Sequence, residues 1–127
     1  MALPVNASAD VQLVTASLLS KNIDVFFANP DNVVFSSFET IVQACNQKNI
    51  PIFTSEAGLV ARGALAAYGA DIYQWGYQAG EQAAQFLKTK STNGMHWEMV
   101  TVRKKVYNPV AAKKFGITVP ENFQPLQ

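Results

Sequence analysis

Cysteine and histidine each occur once in this 127-residue chain, and Lys, Arg, Asp and Glu together make up only 15% of it, against about 25% in an ordinary globular domain. With Cys45 alone, neither an internal disulfide framework nor a cysteine-based zinc site can form. The single histidine, His96, sits beside Trp97 after an Asn93-Gly94 turn. It reads as a surface residue, and no histidine is placed to activate Cys45 as a nucleophile. Ten basic residues against nine acidic ones leave a net charge of +1. That excludes long-range attraction to a phosphate backbone or an anionic membrane, so no nucleic-acid partner is expected. The glycines at 58, 63 and 69 fit neither a dinucleotide nor a Walker pattern, and no cofactor or metal is expected. The apolar run over residues 64–70 is far short of the ~20 residues a membrane span needs. Met1-Ala2-Leu3-Pro4 lacks the basic and apolar regions of a signal peptide. Repeats and low-complexity stretches are also missing.

What is present is an apolar content of 49% in a chain of single-domain length, enough to bury about two-thirds of its unfolded surface. Helical and extended periods alternate along it. Residues 9–21 put Val11, Val14, Leu18 and Leu19 on one helical face. Ile23-Asp24-Val25-Phe26-Phe27-Ala28 is β-branched and aromatic, and Asn29-Pro30-Asp31-Asn32 stops it, so it reads as a buried strand entering a loop. Residues 33–48 predict one helix with Phe38, Ile41, Val42 and Cys45 on a shared face, which makes Cys45 a core residue. Residues 50–54 predict a strand, with Pro51 tolerated near its start. The loop Ser55-Glu56-Ala57-Gly58 and a helical turn over 59–62 follow.

Residues 63–68, bracketed by Gly63 and Gly69, read as a further strand. Asp71 suits the N-cap of a helix running to Lys88. Its apolar face is Ile72, Trp75, Ala79, Ala83, Phe86 and Leu87; Gly76 and Gly80 allow close approach, and Tyr73 and Tyr77 add aromatic surface suited to meeting another domain. Residues 97–106 alternate and predict an edge strand; 109–115 predict a short helix ended by Gly116, and 117–120 an extended tail.

Alternating α and β units imply an α/β fold, a mainly parallel sheet with flanking helices. In such sheets ligands bind beyond the carboxyl ends of the strands. Three polar loops, 29–32, 55–58 and 68–71, fall there. Asp31, Glu56 and Asp71 are candidate acceptors for an ammonium group. Asn29, Asn32 and Ser55 offer neutral hydrogen bonds, and Tyr68 offers a ring face and a hydroxyl. Each residue has a plain alternative: Asn29 and Asp31 suit an ordinary turn, and Asp71 an ordinary helix cap. An enzyme would need Glu56 and Asp71 as an acid/base pair, and loop carboxylates are more often solvated or capping. A non-enzymatic binding module is expected.

The stretch 23–32, the segment 50–56, the run Arg62-Gly63-Ala64-Leu65-Ala66-Ala67-Tyr68-Gly69-Ala70-Asp71 and the ending Tyr107-Asn108-Pro109, Ala112, Phe115-Gly116-Ile117-Thr118-Val119-Pro120 together resemble a known family. It is that of the extracytoplasmic substrate-binding proteins of bacterial ABC transporters, of the type I periplasmic-binding-protein fold and nearest the tryptophan/tyrosine type. The resemblance covers nearly the whole chain but only the C-terminal half of a two-lobed protein, which carries a secretory or lipoprotein signal. It implies that 1–127 is a single Rossmann-like α/β unit, with 71–127 packing toward an N-terminal lobe. It implies a cleft wall formed by Asn29, Asp31, Asn32, Ser55 and Glu56, with Gly69, Ala70 and Asp71 in the hinge. The ligand would be a small solute such as an amino acid, the partner a membrane permease, and the location extracytoplasmic, as a membrane-anchored lipoprotein. The helix from Asp71 would leave apolar surface exposed and promote self-association; a monodisperse monomer in light scattering would count against it. Two other readings stand beside this one: a sensor lobe of a transcription regulator, with a DNA-binding segment upstream, and a small flavodoxin-like enzyme.

Overall fold

The computed structural model describes residues 1–126. After a 3-10 turn at Ser8–Asp10, α1 (Val11–Leu19) leads to β1 (Phe26–Ala28), α2 (Asn32–Ser36) and α3 (Phe38–Gln47) lead to β2 (Ile52–Thr54), and α4 (Gly58–Ala61) leads to β3 (Ala66–Ala70). Then come α5 (Ile72–Thr89), β4 (Arg103–Tyr107), α6 (Pro109–Phe115) and β5 (Gln124–Pro125). The strands lie in chain order in one five-stranded sheet. β1, β2 and β3 are parallel, β4 runs antiparallel to β3, and β5 is parallel to β4. The α/β class and the mainly parallel sheet are as the sequence implies.

Side chains alternate across a strand, and this divides the sheet's two faces. Phe26, Ala28, Ile52 and Ala67 join one core with α1, α3 and α4. Helix α1 contributes Val11, Thr15 and Leu19, and α3 contributes Phe38, Ile41 and Cys45, each set at helical spacing. The α1 stripe is turned from the expected one: Thr15 is buried, while Val14 and Leu18 are only half-buried. Burial pushes the Cys45 thiol up to about 12. Arg62 ties this layer together, donating to Glu39 Oε1 and Oε2 (both 2.8 Å) and to the Phe35 carbonyl (2.7 Å). Its guanidinium hydrogen bond holds the Glu39 carboxyl down at about 2.

The opposite face is barely covered. Phe27 is 59% and Tyr68 52% exposed there. Residues 117–123 cross this face as a strap, through Ile117, Val119 and Phe123, over a half-open apolar cavity of about 280 Å³. Parallel sheets are ordinarily covered on both faces. β1 is also an outer strand. The Phe26 amide donates to the Pro51 carbonyl (2.9 Å), so the amide and carbonyl of Phe27 face away from β2. Beside that edge runs a groove of about 550 Å³ between β1 and the N-terminal residues Met1, Leu3 and Val5.

Several boundaries differ from expectation. The helix over 33–48 is two helices, broken at Ser37 (φ −118°, ψ 18°); Ser36 Oγ bonds the Val33 carbonyl at 2.9 Å, a local competitor for helical pairing. The strand over 63–68 begins later, at Ala66, because Gly63 turns at φ +122°. Of residues 97–106, those from Arg103 onward are strand, because β3 ends at Ala70, which pairs with Arg103. Among the described residues, 97–102 pair with no strand. The tail adds β5, which sequence periodicity does not reveal. Within 71–127, β4, α6 and β5 build onto the chain's own layer, whereas no residue of α5 is buried.

Candidate ligand-binding site

Parallel pairing sets Ala28 opposite Thr54 and Thr54 opposite Ala67. The loops after β1 and β2 therefore emerge at one edge of the sheet, and β3 runs three residues further, through Tyr68, Gly69 and Ala70. Of the three expected loops, those after β1 and β2 gather at one edge, whereas Tyr68, Gly69 and Ala70 of the third lie within β3 and Asp71 alone follows it. Asn29, Asp31 and Asn32 are exposed there, and Ser55 and Glu56 are half-buried.

Each of the three candidate carboxylates caps a helix. Asp31 Oδ1 accepts from the amides of Val33 (2.7 Å) and Val34 (3.3 Å) at the start of α2. Glu56 Oε2 accepts from the Leu59 amide (3.1 Å) at the start of α4. A side chain at Gly58 would put its Cβ 2.8 Å from that same oxygen. Asp71 Oδ1 accepts from the amides of Tyr73 (3.1 Å) and Gln74 (3.2 Å) at the start of α5, and Oδ2 pairs with Lys104 Nζ (3.1 Å). Burial alone would raise the Asp71 pKa, but the Gln74 and Tyr73 amides and Lys104 outweigh it and hold the carboxyl below its usual range.

These caps separate the candidates. Among the described residues, Asp31 Oδ2 and Glu56 Oε1 carry no hydrogen bond, so a donor can still reach them. Both oxygens of Asp71 are committed. Lys104 thus supplies Asp71 with an ammonium partner from within the chain, and among the described residues Asp71 shares no hydrogen bond with Glu56. Tyr68 projects onto the uncovered sheet face, with Lys105 Nζ 5.1 Å from its ring centroid. It shares a polar hollow of about 410 Å³ with Asp71, Arg103 and Lys104, whereas Asn29 lines the groove beside β1. The candidates are thus spread along the edge. Gly69 lets β3 lie against the loop after β2: a Cβ there would fall 1.6 Å from the Ser55 carbonyl oxygen. Ala70 pairs with Arg103. The basic run Arg103-Lys104-Lys105 is the part sequence reasoning missed; three adjacent cations in an alternating segment were visible, but not the antiparallel pairing that lays them beside Tyr68, Gly69 and Ala70.

A family model described as ABC transporter substrate binding protein matches residues 1–125. The chain belongs to that family. Among substrate-binding relatives, a tyrosine-binding protein of Clostridioides difficile (strain R20291) is 40% identical over 87 residues, 68% of this chain and 25% of that protein. A conserved domain protein of Vibrio cholerae has a solved structure 34% identical, with a TM-score of 0.81, covering 95% of this chain and 42% of its own. A domain from Streptococcus pneumonia solved in complex with L-Trp is 26% identical, with a TM-score of 0.81, covering 95% of this chain and 43% of its own. The chain therefore spans less than half the length of each of these three proteins.

Proposed function

We propose that this chain supplies one wall of the solute cleft in a two-lobed, non-enzymatic receptor that delivers an aromatic amino acid to a membrane permease for import from outside the cytoplasm. The observation that carries the proposal is the common edge at which parallel β1 and β2 present Asp31 and Glu56, each fixed by a helix cap and each with one carboxylate oxygen open. A ligand ammonium bonds these oxygens, while Asn29, Asn32 and Ser55 supply neutral hydrogen bonds around it. The tyrosine-binding relative and the L-Trp complex support the ligand class. The ligand's carboxylate and ring are left to the facing lobe, and closure of the lobes presents the loaded receptor to the permease. In this reading the exposed Ile72, Trp75, Phe86 and Leu87 of α5 turn toward that lobe, and the chain by itself associates through them.

The test is calorimetric titration of L-tyrosine and L-tryptophan into the protein carrying both lobes. Asp31→Asn and Glu56→Gln remove charge; asparagine caps a helix as well as aspartate does, whereas alanine at Asp31 would also cost about 1 kcal/mol of fold stability. A charge-assisted hydrogen bond contributes about 1.5–3 kcal/mol, so each variant is expected to weaken binding at least about tenfold. Unchanged affinity in both would refute this assignment of the wall.

A further inference from the structure

We infer that the Asp71–Lys104 ion pair is a clasp that fixes the angle at which α5 leaves the sheet. Asp71 stands where β3 ends and α5 begins, and three groups meet on it. Its amide donates to the Val102 carbonyl (3.0 Å), on the segment entering β4. Its Oδ1 accepts the first amides of α5, and its Oδ2 holds the Lys104 ammonium of β4 at 3.1 Å. The Asp71 side chain is 11% exposed and that of Lys104 50%, so the pair is partly withdrawn from the screening that makes fully exposed pairs weak.

Beyond this root α5 has little hold on the sheet. None of its 18 residues is buried. Gln78 Nε2 donates to Glu98 Oε2 (3.0 Å) and to the Met99 carbonyl (3.2 Å), and its Oε1 accepts from the Thr101 amide (3.4 Å). These bonds tie the helix to the segment that returns from it, which has no regular structure before β4 begins at Arg103. A helix of 18 residues is about 27 Å long, so a 10° turn at the root carries its far end about 5 Å. An ion pair at the pivot therefore controls a long lever.

Cap and clasp use different oxygens and can be separated. Asp71→Asn keeps a capping side chain but removes the charge, and Lys104→Met leaves the cap untouched. Arg103→Met deletes the same charge from the neighbouring residue, which pairs with no carboxylate among the described residues. The measurement is the distance distribution between nitroxides at Gln85 on α5 and Gln43 on α3, both exposed, by pulsed electron spin resonance on the 127-residue chain diluted with unlabelled chain. Cys45 needs no replacement, since its buried thiol, raised to about 12, stays protonated and unlabelled.

The unvaried chain and Arg103→Met are expected to give one narrow distribution. Asp71→Asn and Lys104→Met are each expected to widen it at least twofold, and the double variant no further than either single one, because both remove the same bond. Unaltered width in Lys104→Met, or equal widening in Arg103→Met, would overturn the clasp. Loss of helical circular dichroism confined to Asp71→Asn would also overturn it, by assigning Asp71 to the cap alone. In a two-lobed receptor the clasp sets the resting lobe angle. That part rests on the proposed function, and ligand titration tests it independently of the distance measurement.

Discussion

Replacing Gly69 with alanine is expected to cost about 3 kcal/mol of stability, the upper end of ordinary overpacking. The added Cβ would fall 1.6 Å from the Ser55 carbonyl oxygen and 2.6 Å from its carbon. Both are main-chain atoms, so no side-chain rotation relieves the overlap. Either β3 leaves its ladder with β4 or the loop after β2 is pushed out, and that loop carries Glu56. The urea midpoint is expected to fall by about 1 M or more. Gly76, in α5, makes a matched comparison: nothing lies within 4 Å of a Cβ there. Alanine at that position is expected to stabilise by about 0.5–1 kcal/mol through helix propensity. A midpoint for Gly69→Ala equal to that of the unvaried chain would mean that the Ser55 loop gives way at no cost.

The second large effect is expected at Phe38. Its ring is 0% exposed, it opens α3 just after the break at Ser37, and the Arg62 guanidinium lies 5.5 Å from its centroid. Truncation to alanine removes a full aromatic side chain from the centre of the layer between α1, α3 and the sheet. The expected loss is about 3–5 kcal/mol. Small domains hold only about 5–15 kcal/mol in total, so this is a large share of the stability, and the thermal midpoint should fall by about 10 °C or more. Phe27→Ala, at 59% exposure, is expected to lose far less. Equal midpoints for the two variants would place the core on the wrong face of the sheet.

What could be read in advance was local. The cap at Asp71, the left-handed Gly116 after α6 and the apolar stripe of α3 are each set by residues within a turn or two, and they stand where expected. The mainly parallel sheet followed from the alternation of helices and strands, and with it the gathering of the loops after β1 and β2. Errors arose wherever pairing partners lay far apart in the chain. Residues 97–102 have strand-like periodicity, yet β3 is too short to receive them. Lys104 meets Asp71 from 33 positions away, an ion pair that the sequence pattern does not reveal. Tyr68 was placed among the loops by its position in the chain, but strand alternation sends its ring to the uncovered face. The capping role of Glu56 was legible as an alternative, since loop carboxylates often cap, whereas Asp31 was read as a turn residue and its bonds to the amides of Val33 and Val34 were not foreseen.

The outward-facing backbone of β1 has a consequence for misassembly. An unpaired edge invites any passing strand, and a stack of such strands is how fibrils grow. This edge is guarded at both ends. Asp24 stands charged and exposed two residues before the strand, and Pro30, which has no amide to donate, stands two residues after it. The free stretch is three residues, about half the length of the segments that seed amyloid. An acidic side chain, a proline and a short strand together bias this edge against runaway polymer growth.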